Sequence, residues 1–159
     1  MSFIFKNATF SSCRKYRYSL SRIWDKKKKY VLFIGLNPST ANEKVDDPTI
    51  RRCVNYVKDW GYGGLMMVNL FAYRAALPSN LKKVKYPIGK DNDKYIMTLS
   101  KKADITVAVW GNNGNLYGRD KQVLELIPIL MCLKLNKSGQ PAHPLYLSKN
   151  LKLTNFSGL

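Results

Sequence analysis

Asn37, Asn69 and Asn112 each stand at or just past the end of an apolar run, and His143 opens the segment His143-Pro-Leu-Tyr146. An amide side chain carries a donor and an acceptor together, the paired offer by which side chains read a nucleobase edge. A histidine can donate a hydrogen bond or stabilise charge on a departing group. Asn69 lies inside the apolar stretch 65–71, where a buried amide left unpaired costs roughly 1–3 kcal/mol. It either ties down a neighbouring loop or offers both groups to a ligand. His143 is either bonded to a backbone carbonyl or turned to that ligand. Asp46 and Asp47 either cap a helix or orient a substrate or an arginine, with Arg51 close by in sequence. Arg74 leaves the second apolar run towards the same edge, Phe71 or Tyr73 is placed to stack on a base, and Trp110 with Gly111 either packs in the core or walls the site. The chain carries no Gly-x-Gly-x-x-Gly, no phosphate-binding Gly-Lys-Ser/Thr loop, no His-x-Glu with paired cysteines and no Gly-x-Ser-x-Gly. Hydride transfer, phosphoryl transfer, zinc deamination and serine hydrolysis each lack their parts.

The elements that position these groups are legible from pattern. Val31 to Ile34 is a short apolar run that stops at Gly35-Leu-Asn-Pro38. Such a run reads as a buried strand; Gly35 permits a turn where a Cβ would clash, and Pro38 cannot continue a ladder. Gly35, Asn37 and Pro38 therefore fall at the carboxyl end of a strand, where open α/β sheets bind ligands. Residues 65–71 and 105–110 repeat the pattern, the second closing in Gly111-Asn-Asn-Gly114, and 129–135 is a fourth, short strand. Residues 16–24 alternate apolar and polar side chains and read as a half-buried strand. Asp47 as cap and Pro48 at the first position open a helix in which Ile50, Cys53, Val54, Val57 and Trp60 recur at helical spacing, ended by Gly61. Residues 92–102 read as a helix, and 116–133 as mostly helical until Pro128. The alternation predicts a three-layer α/β/α sandwich around a central, mostly parallel sheet, in one domain over 1–159. Residues 1–14 are expected as an edge element or lead-in, and 149–159 as a helical or frayed tail.

Charge narrows the partner. Lys and Arg number 27 against 10 Asp and Glu, a net charge of +17. Residues 1–30 hold nine basic groups and one acid; residues 134–159 hold four and none. That excess favours a polyanion, with Lys26, Lys27, Lys28, Lys29, Lys82 and Lys83 as phosphate contacts; a solubilising lysine-rich surface is the plainer alternative. Three cysteines without Cys-x-x-Cys spacing read as reduced thiols, and a single histidine argues against a metal centre. No apolar run approaches the ~20 residues of a membrane span, and the opening residues lack the apolar stretch expected of a secretory leader. The chain reads as a cytoplasmic or nucleoid-associated protein, expected as a monomer, with no metal, no cofactor and no membrane partner.

The motifs, in their order, also carry a resemblance. Gly35-Leu-Asn-Pro38, Asn69 within an apolar strand, Val109-Trp-Gly111 and His143-Pro144 look like the uracil-DNA glycosylase superfamily, whose mismatch-specific and single-strand-selective branches have Gly-(Ile/Met)-Asn-Pro after the first core strand. The resemblance implies a uracil-DNA glycosylase-like fold. It implies that Asn37 positions the water or stabilises the sugar cation, Asn69 reads a pyrimidine edge and His143 supports charge on the departing base. It further implies that the loop bearing Pro144 enters the minor groove. Over about residues 15–148 the chain more closely resembles an uncharacterised family of small bacterial and phage proteins. Its marks are Gly35-Leu-Asn-Pro-Ser-Thr-Ala41, Asp46-Asp-Pro-Thr-Ile-Arg-Arg52, Asn69-Leu-Phe-Ala72, Trp110-Gly111 and His143-Pro-Leu-Tyr-Leu147. Three functions fit. The first is hydrolysis of the N-glycosidic bond of a flipped nucleotide, in DNA in preference to RNA. The second is a non-catalytic nucleic-acid or nucleotide-binding protein on the same scaffold, as in phage–host conflict. The third is an enzyme acting on free nucleosides or nucleotides.

Overall fold

The computed structural model describes residues 3–156. Seven strands make one mixed sheet: β1 (Phe5–Phe10), β2 (Arg17–Ile23), β3 (Tyr30–Gly35), β4 (Gly64–Asn69), β5 (Ile105–Ala108), β6 (Leu130–Cys132) and β7 (Thr154–Phe156). Their order across the sheet is β1-β2-β4-β3-β5-β6-β7. The central four, β4-β3-β5-β6, are parallel, and antiparallel strands flank them on both sides.

The continuous apolar runs of the central strands follow from burial on both faces. Val31 and Phe33 of β3 pack with Ile50, Cys53, Val54 and Val57 of α1 (Pro48–Asp59), while Leu32 and Ile34 face the cluster that holds Ile96 of α2 (Asn92–Lys102) and Val123 of α3 (Arg119–Leu126). One helix thus covers one face and two cover the other. The chain leaves β3 through α1 to reach β4 on one side, then crosses through α2 to reach β5 on the other. The carboxyl ends of β3 and β5 therefore lie where the winding reverses, the crevice in which α/β sheets of this kind take ligands.

Four expectations are corrected by tertiary structure. The helix read over 116–133 is only α3, because Tyr117 (φ 55°) and Gly118 (φ 65°) hold left-handed conformations that stop a helix from passing through. It ends before Pro128, which disfavours helix in the residue it follows. The tail expected as helical or frayed instead supplies β7, anchored by Phe156, whose ring meets Trp110 edge-on at 5.6 Å. The outermost residues of the expected lead-in and tail, 1–2 and 157–159, lie outside the described residues. β2, expected to be half-buried, buries Arg17, Tyr18, Ser19, Leu20 and Arg22. The second and third core strands stop at Asn69 and Ala108, shorter than their apolar runs. Among the described residues, no helix is long and apolar enough to cross a membrane.

Candidate functional site

A cavity of about 530 Å³ opens at the carboxyl ends of β3, β4 and β5. Gly35, Leu36, Asn37, Pro38 and Ser39 line it after β3, Asn69 ends β4 in it, and Trp110, Gly111, Asn112 and Asn113 follow β5 into it. Arg17, Asp47 and His143 complete its polar wall.

Asn69 is nearly buried. Its Oδ1 accepts from an Arg17 guanidinium N–H at 3.4 Å, and Nδ2 has no partner among the described residues. The arginine holds the amide so that its donor half is left for the cavity. Gly35 makes room for it: a Cβ there would lie 2.7 Å from Asn69 Nδ2. Asn37 is arranged the opposite way. Its Nδ2 donates to the carbonyls of Ala75 at 2.8 Å and Pro38 at 3.2 Å, which ties the loop after β3 to the loop after β4 and leaves Oδ1 as the free half.

Asp47 joins the helix cap to the cavity. One carboxylate oxygen accepts the Ile50 N–H at 2.9 Å and the other accepts from Ser39 Oγ at 3.4 Å. The capping alternative for Asp47 is thus present, and the same side chain lines the cavity. His143 Nδ1 accepts the Leu145 N–H at 3.3 Å, which assigns the ring proton of the neutral imidazole to Nε2. Burial lowers the His143 pKa below its ordinary value, with the Asp47 charge opposing. Arg17 is pushed down to about 10 by burial, again with Asp47 opposing, and so stays a cation at neutral pH. Its Nη1 donates to the Ala41 carbonyl at 3.0 Å, while Nε has no partner among the described residues.

Trp110 serves the wall from the core. It is 2 % exposed, its Nε1 donates to Gln140 Oε1 at 2.8 Å, and Gly114 leaves the space its ring fills. Gly111 takes φ 76°. Asn112 Oδ1 accepts from Asn136 and Ser138, which fixes the rim of the cavity.

Other expected site residues lie elsewhere. Phe71 is fully buried in the core, edge-on to Tyr117, and does not line the cavity. Arg74 lies in a neighbouring groove, with its guanidinium over the Phe10 ring and a bond to the Arg14 carbonyl. Asp46 pairs with buried Arg22 at 2.6 Å, and Arg51 donates to the Asp46 carbonyl; neither acid nor arginine reaches the cavity. Pro144 is buried at the first position of a short 3-10 turn (Pro144–Tyr146), so no exposed proline projects as the minor-groove reading required. Lys26, Lys27, Lys28 and Lys29 precede β3, at the opposite end of the strand from Asn37. At ~3.3 Å per residue that separates them from the cavity by about 20 Å. Lys82 lies on the cavity's side, in a groove that shares Pro78 and Asn113 with it, and Lys83 follows at the end of the 3-10 segment Pro78–Lys83.

Two positioning residues were missed in the sequence. Arg17 looked like the wet face of an alternating strand. Arg52, next to the candidate Arg51, donates to the carbonyls of Pro144 and Leu147 and clamps the turn that carries His143 to α1. The pair Asp46-Asp47 signalled a buried arginine, but the one paired with Asp46 is Arg22, while Arg17 and Arg52 are held by carbonyl and amide oxygens. Among the described residues, no three His, Cys, Asp or Glu side chains are grouped as metal ligands would be.

A family model matches residues 17–145, and the chain belongs to that family, described as "Protein of unknown function (DUF1643)". No curated protein and no solved structure matches the chain.

Proposed function

We propose that this member of the family hydrolyses the N-glycosidic bond of a nucleotide extruded from a nucleic-acid strand, DNA in preference to RNA. The observation that carries the reading is the convergence of Asn37, Asn69, Asp47 and His143 on one cavity at the winding reversal, backed by a buried arginine. Its 530 Å³ suits a nucleoside-sized ligand. The motif likeness to the uracil-DNA glycosylase superfamily supports the same chemistry.

The roles of Asn69, His143 and Asn37 follow from which half of each group is free. Asn69 Nδ2 donates to a carbonyl of the base. His143, neutral and protonated at Nε2, donates to the base as the C–N bond breaks and negative charge moves onto it. The sugar left behind carries positive charge, and the Asp47 carboxylate is the anion in the cavity that stabilises it. Asn37 Oδ1 accepts from the water whose oxygen bonds C1′, and the proton that water releases ends on the free base. The +17 charge gathers the phosphates, so binding weakens steeply with salt.

A binding-only reading has one specific support: both Asp47 oxygens already accept hydrogen bonds within the fold. The two readings are separated by incubating the protein with single- and double-stranded oligonucleotides that carry uracil, mismatched thymine, hypoxanthine or oxidised pyrimidines, followed by alkali. Strand cleavage that disappears in Asn37→Ala supports hydrolysis. Salt-sensitive binding without cleavage supports the scaffold reading.

A further inference from the structure

A second cavity, of about 540 Å³, lies beyond the site and takes no part in the chemistry above. Tyr86 and Tyr117 line it together with Lys85 and Lys90, and among the described residues no acidic side chain does. Both rings are exposed, Tyr86 at 67 % and Tyr117 at 57 %. Neither is loosely held. The Tyr86 carbonyl accepts the Tyr16 hydroxyl at 2.9 Å, and the next two carbonyls, of Pro87 and Ile88, accept the N–H groups of Tyr73 and Ala72. The Tyr117 ring meets Phe71 edge-on at 6.3 Å, and its backbone keeps φ 55°, a conformation that bulky residues rarely adopt. A fixed backbone thus presents two aromatic faces to solvent between two cations, with Lys85 Nζ 5.5 Å from the Tyr86 ring centre.

The first cavity leads towards the second through an adjoining groove, which meets it where Leu116 of the groove is followed by Tyr117. Pro78 and Asn113 line both the first cavity and the groove, which Lys82 and Leu116 line as well.

We propose that the Tyr86–Tyr117 cavity is a stacking subsite for an unpaired base of the same strand whose flipped nucleotide occupies the first cavity, its phosphates carried by Lys82, Lys85 and Lys90. Aromatic faces beside lysines are the means by which proteins hold single-stranded nucleic acid without reading its sequence. A base paired in a duplex offers no free face there, so the substrate is unpaired on this side of the reacting nucleotide. The inference rests on the nucleic-acid part of the proposed function.

The test is fluorescence anisotropy with a labelled 12-nucleotide oligo(dT), the same strand built from abasic residues, and a duplex of equal length. Tyr86→Ala and Tyr117→Gly are the variants; glycine takes the positive φ of position 117 readily, so that variant keeps the fold, which a melting curve verifies. Each variant is expected to bind oligo(dT) about fivefold to 150-fold more weakly, the range seen for loss of one base–aromatic stack. Affinity for the abasic strand and the duplex stays unchanged. Equal affinity of variants and parent for oligo(dT) overturns the subsite, and an undiminished fall in affinity on Lys82→Gln then leaves the proposed function standing. Equal losses on oligo(dT) and the abasic strand also overturn it, because the tyrosines then act without stacking. Thymidine monophosphate displacing oligo(dT) at equal concentration would make this a mononucleotide site and overturn the strand. Absence of all nucleic-acid binding by the parent protein overturns both proposals.

Discussion

Gly35→Ala tests the site through its tightest contact. The new methyl group would lie 2.7 Å from Asn69 Nδ2, and 3.7 Å from the next neighbour, Met67 Sδ. Ordinary contact begins near ~3.4 Å, so the amide must retreat by about 0.7 Å while everything else stays. It cannot swing freely, because Arg17 holds its Oδ1 and the backbone carbonyl of Asn69 accepts from Asn92 at 2.8 Å. The strain falls on a side-chain end rather than on backbone, so the stability cost is set at about 1 kcal/mol, near the low end for overpacking. In a domain of this size that lowers Tm by about 2–4 °C. The functional cost is larger: displacement of a positioning group by about 1 Å costs on the order of 10²-fold in rate. The assay is a double-mutant cycle, with thermal unfolding and base release measured for the parent, Gly35→Ala, Asn69→Ala and the pair. Removal of the amide empties the space, so Gly35→Ala should cost no stability in the Asn69→Ala background. Equal destabilisation in both backgrounds would refute the contact, and full activity of Gly35→Ala would refute Asn69 as the reader.

Asp47→Ala should lose the α1 cap and about 1 kcal/mol, whereas Asp47→Ser keeps a capping oxygen and most of that stability; base release should fall in both, which separates cap from charge. The folded-state pKa of His143 lies below its ordinary value of 6.5, so the unfolded chain binds more protons there and this residue's contribution to stability falls as pH drops through and below 6.5. His143→Asn should therefore flatten the acid side of the stability curve, as read by unfolding between pH 7.5 and pH 5. Lys82→Gln with Lys83→Gln should weaken oligonucleotide binding and lower the salt slope by about one for each phosphate no longer neutralised. Lys26→Gln with Lys27→Gln, at the far end of β3, should leave base release unchanged; a strong loss of turnover there would place the strand on the wrong edge of the sheet.

The sheet was legible wherever burial is local and two-sided. The run 31–34 could be nothing but a covered strand, and its abrupt stop at Gly35 placed Asn37 at the edge where ligands bind. Asp47 and Pro48 fixed the start of α1 because capping is a matter of adjacent residues. What could not be read depends on contacts distant in sequence. Phe156 is one of four apolar residues in a short tail without strand alternation, and its pairing with β6 and its meeting with Trp110, 46 positions earlier, make that tail a strand. Arg17 alternates like a solvent-facing residue, yet the loop that holds Ala41 and the end of β4 close over it. Arg52 occupies a helix face that becomes interior only when the turn after His143 docks on it. Pattern likewise could not tell which half of each amide is free, since Asn37 and Asn69 are indistinguishable until Ala75 takes the donor of one and Arg17 the acceptor of the other.

The central claim is that water breaks an N-glycosidic bond in the cavity at the end of β3. The most direct measurement is mass spectrometry of the products from a uracil-containing single strand and the other damaged-base strands, incubated in ¹⁸O-labelled water. The account predicts free base from at least one strand, one ¹⁸O atom at C1′ of the abasic sugar, and neither product with Asn37→Ala. Strands that bind with salt sensitivity yet return intact and unlabelled would contradict it.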